Sequence, residues 1–171
     1  MHQVHGDDAV LVGAPGPAGE ADAMVTAVPG LPLAVFTADC LGVVITGDRG
    51  VGVAHAGWRG MAAGVLGRTV AVMRDNGMTP VAAYVGPHIG ACCFEVGSEV
   101  AERLPDSRSQ TSRQTLSVDL FDAARRQLDP LPLWAAGRCS RHDPGHHSHR
   151  GSGTPARMAA IGWVPAWGDH P

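Results

Sequence analysis

Short apolar runs alternate with glycine turns through the first part of the chain, at Ala9 to Gly13, Ala23 to Ala27, Leu33 to Thr37, Gly42 to Thr46 and Val51 to His55. Runs of this length and β-branched content predict strands. The turn-forming segment Gly47-Asp48-Arg49-Gly50 separates the last two, which predicts a hairpin with His55 at its far end. From Met61 to Asp75 the apolar positions Met61, Val65, Leu66, Val72 and Met73 fall mostly at helical spacing and Gly77 follows, which predicts one amphipathic helix. Val81 to Val85 and Arg157 to Val164 read as strands. Ser98 to Leu104 and Asp119 to Leu128 read as helices, the second opened by a residue suited to capping. The polar stretch Pro105 to Thr115 and the His-, Gly- and Ser-rich stretch Ser140 to Pro155 lack periodicity and read as loops.

With 171 residues and 44% hydrophobic content, the chain suffices for one core and is short for two, so residues 1–171 are expected to form a single domain. The formal net charge is −3, and the 13 basic residues are all arginine, scattered without a run. Nucleic acid is therefore not expected as a partner. No apolar run approaches a membrane span, and Met1 to His5 has neither the basic start nor the apolar stretch of a signal peptide, so a cytoplasmic protein is expected. In that reducing setting the four cysteines are expected as free thiols or metal ligands.

Three segments set potential metal ligands at strand ends or in tight glycine settings: Gln3-Val4-His5-Gly6, Thr37-Ala38-Asp39-Cys40 and Ala54-His55-Ala56-Gly57-Trp58-Arg59-Gly60. Two imidazoles and a thiolate are sound zinc ligands, and three protein ligands leave an open position for chemistry. The gaps of 35 and 15 residues between His5, Cys40 and His55 match no compact zinc motif. The residues alone thus leave open a buried Cys40 beside ordinary strand-end histidines. A strand running through Gly57 and Gly60 into a helix exposes backbone N–H groups to an anion, and Arg59 beside it suits phosphate. A plain tight turn with a surface arginine remains the alternative. The adjacent Cys92 and Cys93 are expected to pack rather than ligate, because neighbouring thiols rarely both reach one tetrahedral metal. His88 faces either a site or only its own turn, and His142, His146, His147 and His149 are expected in a solvated loop.

In this order, the three segments and Gly86-Pro87-His88-Ile89-Gly90-Ala91-Cys92-Cys93-Phe94-Glu95-Val96 resemble the zinc-dependent purine nucleoside phosphorylase and adenosine deaminase family once named polyphenol oxidase (laccase). Bacterial members are also called peptidoglycan editing factors. The likeness runs from Gln3 to about Val164 and takes in Arg150 and the segment Gly151 to Ala160. It implies an α+β fold, a mixed β-sheet sandwich with flanking helices of α/β/β/α type. It also implies one Zn2+ on His5, Cys40 and His55, and purine nucleosides and phosphate as substrates. Reactions expected from the resemblance are phosphorolysis of adenosine, inosine, guanosine and methylthioadenosine, and deamination of adenosine. On this reading Gly57, Trp58, Arg59, Gly60 and His88 bind substrate or phosphate, and Asp39 shuttles a proton.

Two departures stand out. Only Met1 and His2 precede Gln-Val-His-Gly, so the family's N-terminal segment is expected to be missing. His147-Ser148-His149-Arg150 stands where the family tends to have Phe-Ser-Tyr-Arg, so an aromatic substrate contact is expected to be lost. Three rival readings are a copper polyphenol oxidase, a metal-free hydrolase using Cys40 and His55, and an editing factor without nucleoside activity.

Overall fold

The computed structural model describes residues 1–166. Its centre is the expected hairpin, β4 (Leu41–Gly47) and β5 (Val51–Ala56), with Leu41 opposite Ala56 and Thr46 opposite Val51. Every residue of β5 is buried, because layers cover both faces of the sheet at this point. The hairpin sits inside a six-stranded mixed sheet. Its order is β1 (Ala9–Leu11), β2 (Ala23–Thr26), β5, β4, β6 (Pro80–Val85) and β9 (Leu133–Ala135). The outer pairs β1–β2 and β6–β9 run parallel and the inner pairs antiparallel.

One face is covered by helices. The buried stripe of α2 (Val65–Asp75), with Leu66, Val70 and Met73, and that of α4 (Leu120–Leu128) join Val25, Val43, Ile45 and Ala54 of the sheet in one core. Asp119 caps α4 by accepting from the backbone N–H groups of Phe121 and Asp122, as its position before the apolar run predicts. The other face carries an antiparallel ribbon of β3 (Leu33–Thr37) and β10 (Met158–Gly162). Leu33 and Val35 alternate inward from β3 onto Met24 and Val53, while Phe36, the next residue, points out. This is the α+β sandwich that the resemblance implies.

The single helix expected from Met61 to Asp75 is two, α1 (Trp58–Ala63) and α2, parted at Gly64 with φ 95. The apolar spacing runs across the break, so periodicity could not reveal it. The stretch read as a loop from Pro105 to Thr115 contains a 3-10 turn and β7 (Arg108–Gln110), which pairs with β8 (Leu116–Val118). β7 buries almost nothing and therefore lacks an apolar signature. In the stretch Ser140 to Pro155 the chain forms one short helix, α5 (His149–Ser152). The remaining helix, α3 (Ser98–Arg103), lies near its expected place. Among the described residues, no helix is long and apolar enough to cross a membrane.

The break supplies a test of opposite signs. An added Cβ meets nothing within 4 Å at either Gly64 or Gly67, but only Gly64 is left-handed. Gly64→Ala should cost about 1 kcal/mol through backbone strain alone, whereas Gly67→Ala inside α2 should stabilise by about 0.5–1 kcal/mol. Urea unfolding of both variants checks this, and shifts of the same sign would contradict the break.

Candidate active site

The site begins with a carboxylate. Asp22, fully buried just before β2, accepts backbone hydrogen bonds from Val4 (3.1 Å) and Gly6 (2.6 Å) on Oδ2 and from His5 (3.0 Å) on Oδ1. Its Oδ1 also lies 2.7 Å from Nδ1 of the buried His55. Burial would raise the Asp22 pKa, but the bonds from His55 and from the Gly6 and Val4 N–H groups outweigh it and hold the carboxyl below its ordinary range. Wrapping three consecutive N–H groups around one carboxylate bends the chain so far that His5 takes a left-handed conformation, φ 62. His5 is thereby turned back onto His55, ring centroid to ring centroid 4.7 Å, edge to face.

Cys40 arrives from the other side, at the tight connection between β3 and β4. Asp39 before it is left-handed, φ 86, and nearly buried. Its Oδ1 accepts from Ser140 Oγ (2.6 Å) and its Oδ2 from the Arg150 N–H (2.6 Å). Gly57 closes the cluster: a Cβ there would stand 3.0 Å from Cys40 Sγ and 3.1 Å from His5 Cδ2. A Cβ on Gly60 would meet the Gly6 carbonyl at 2.6 Å. The two glycines of Gly57-Trp58-Arg59-Gly60 are therefore required by close approach of chain segments.

One ligand atom each from His5, Cys40 and His55 falls within 4.8 Å of the other two. Because Nδ1 of His55 faces Asp22, its Nε2 is the nitrogen left to face the others, the usual arrangement of a carboxylate behind a ligating histidine. Burial, with His55 and Arg59 adding and Asp22 opposing, lowers the His5 pKa and favours the neutral ring. Burial pushes the Cys40 thiol up to about 11, helped by Asp39 and Asp22 and opposed by Arg157. A thiol so placed is a poor free nucleophile and ionises only when a cation takes the proton's place. This weighs against the metal-free hydrolase.

The three residues line a cavity of about 560 Å3, together with Phe36, Ile89 and Phe94 and the cationic Arg150 and Arg157. That volume is ordinary for a small-molecule site. His149, where an aromatic contact was expected to be lost, also lines the cavity, as an imidazole. The expected binding residues Gly57, Trp58, Arg59, Gly60 and His88 do not. Arg59 is exposed and lies over the Trp58 ring, 4.3 Å from its centroid. His88 is buried with Nδ1 against the Gly86 carbonyl (2.9 Å) and its ring stacked on Phe121. Asp22 was not among the expected site residues, although a lone carboxylate within Ala21-Asp22-Ala23-Met24 is the signal that marks it. Nor was Arg157 expected in the cavity lining.

The chain is similar to several known proteins. A family model described as multi-copper polyphenol oxidoreductase laccase matches residues 1–165. The purine nucleoside phosphorylase YfiH of Escherichia coli K12 is 36% identical over 96% of this chain and 72% of its own length. A purine nucleoside phosphorylase of Xylella fastidiosa is 38% identical over 84% and 61%. Among solved structures, YlmD from Geobacillus stearothermophilus superposes with a TM-score of 0.81 at 30% identity, over 94% of this chain and 71% of that one.

The Asp22 contacts give a direct test. Asp22→Ala leaves the N–H groups of Val4, His5 and Gly6 without their acceptor, at about 1–3 kcal/mol for each one that stays buried. A total loss above about 3 kcal/mol in urea unfolding is expected, with a smaller loss for Asp22→Asn, whose amide oxygen still accepts. A loss below about 1 kcal/mol for the alanine variant would remove Asp22 from its organising role.

Proposed function

The chain belongs to the family described as multi-copper polyphenol oxidoreductase laccase, and from that membership and the cavity we propose that it is a zinc-dependent purine nucleoside phosphorylase. The observation that carries the reading is the convergence of His5, Cys40 and His55 on one point of a cavity that also holds two arginines. The donor set fits zinc: two nitrogens and a sulfur, with Asp22 fixing one imidazole and the cavity on the open side. When bound, the metal supplies Lewis-acid polarisation of a substrate oxygen or nitrogen.

The remaining steps fall to side chains of this chain. Phe36 and Phe94 offer apolar surface to a purine or its ribose. Arg157, whose charge is felt by Cys40, and Arg150 are the cavity's cations for phosphate, the role first expected of Arg59. Phosphate attacks the anomeric carbon, a C–O bond forms as the C–N bond breaks, and the base leaves with the electron pair and takes up a proton. His149 is our candidate donor of that proton. Positioning and charge complementarity do most of the work.

Adenosine, inosine, guanosine and methylthioadenosine are the proposed substrates, in a cytoplasmic setting that keeps the thiols reduced. Adenosine deamination ranks second. It requires a carboxylate to shuttle a proton, and both oxygens of Asp39 are already taken by Ser140 and Arg150, which makes Asp39 a positioning residue in this reading. A multi-copper oxidase would need more clustered histidines than the two Cys/His groups among the described residues supply.

With inosine, the protein should release hypoxanthine and ribose 1-phosphate only when phosphate is supplied. Arg157→Ala should raise the KM for phosphate about 10- to 100-fold, the worth of a lost charge-assisted contact, while Arg59→Ala leaves it within about threefold. Cys40→Ser should abolish turnover. Base release independent of phosphate, or surviving in folded Cys40→Ser protein, would overturn the proposal, as would oxygen consumption with a phenol.

A further inference from the structure

A second cluster lies outside this cavity. β6 and β9 are parallel neighbours, so the turns that follow them leave the same end of the sheet, and an isolated bridge between His88 and Cys139 holds them together. The first turn carries Cys92 and Cys93, folded back so that the Cys93 and Phe94 N–H groups donate to the Gly90 carbonyl. The second carries Cys139 and His142, where the His142 and Asp143 N–H groups donate to the Cys139 carbonyl. One ligand atom from each of the four residues lies within 4.8 Å of the other three. Cys93 Sγ is 3.1 Å from His142 Nε2, and the Gly90 N–H donates to Cys139 Sγ at 3.3 Å. Cys92 and Cys93 were expected to pack rather than ligate, but the tight turn at Gly90 brings both sulfurs within reach of Cys139 and His142.

We propose that Cys92, Cys93, Cys139 and His142 form a structural zinc site separate from the cavity. Three thiolates and one imidazole make a closed tetrahedral set, the composition of structural rather than catalytic zinc. Cys139 and His142 are separated by two residues, and the Gly90 N–H of the neighbouring turn is directed at Cys139 Sγ. A Cβ on Gly90 would stand 3.3 Å from Cys92 Sγ and 3.6 Å from Cys139 Cβ, so this position is kept bare beside the sulfurs. All four cysteines of the chain are free thiols. Arg113 and Arg141 line the cleft beside Cys92, Cys93 and His142 and complement the net negative charge of such a centre.

The position gives the site a purpose. Ser140, next to Cys139, donates to Asp39, next to Cys40. Metal at this cluster would fix the loop that carries Ser140, His149 and Arg150 against the body, and so hold one wall of the cavity.

The test uses the Cys40→Ser variant, which lacks the cavity's thiolate, purified under reducing conditions and shown to be folded by its cooperative melt. It should carry about one zinc per chain, with its three remaining thiols unreactive toward a chromogenic thiol reagent until a chelator is added. Adding Cys139→Ser or, independently, His142→Ala should remove that zinc and lower the melting temperature. Co2+ loaded into chelator-treated Cys40→Ser protein should give the intense thiolate-to-metal absorption of several sulfurs, a signature that packing alone cannot produce. A folded Cys40→Ser protein with no zinc and three reactive thiols would overturn the site, as would a disulfide between any two of them. Equal zinc of about one per chain in the wild type and Cys40→Ser would support this site while contradicting metal at His5, Cys40 and His55.

Discussion

The buried carboxylate of Asp22 is the constraint on which the rest of the site depends. A carboxylate without water costs several kcal/mol unless donors surround it, and here three backbone N–H groups and one imidazole do so. Those contacts account for two otherwise unrelated facts: the left-handed backbone of His5 and the orientation of His55. They tie the first residues of the described chain to β5, which is the central fully buried strand. The sheet thereby carries the groups that position two of the three candidate ligands, His5 and His55.

Asp39 plays a matching part on the opposite side. Its carboxylate joins the Cys40 connection to Ser140 and to the start of α5 at Arg150, more than a hundred residues later in sequence. The cavity is therefore built between two carboxylates that position other groups. Ser140 stands between Cys139 and His142 of the second thiol cluster, so a single hydrogen bond joins that loop to the cavity wall at Asp39.

What the sequence revealed follows from what each residue signals locally. The β4–β5 hairpin was legible because Gly47-Asp48-Arg49-Gly50 separates two apolar runs, and α4 because Asp119 caps a periodic stretch. The break at Gly64 was hidden by apolar spacing that continues through it, and β7 and β9 were hidden because three-residue strands with little burial carry no alternation. His5, Cys40 and His55 stood out by residue type and setting, but their separation along the chain gives no compact pattern, so only the family resemblance favoured them as a metal set. A glycine turn followed by arginine has the same appearance whether it cradles an anion or packs tightly, and Arg59 lies over Trp58 outside the cavity lining. Gly57 and Gly60 are bare to admit Cys40, His5 and the Gly6 carbonyl, and the cavity's cations are Arg150, in a stretch with no periodicity to read, and Arg157, at the foot of the closing strand.

The proposal that His5, Cys40 and His55 hold one metal ion beside the cavity is tested by a crystal structure of the purified protein with data collected at the zinc absorption edge. The expected result is an anomalous peak about 2.0–2.3 Å from His55 Nε2, Cys40 Sγ and a His5 ring nitrogen, with His55 Nδ1 still on Asp22. Active protein whose anomalous map is empty between those three residues would contradict it.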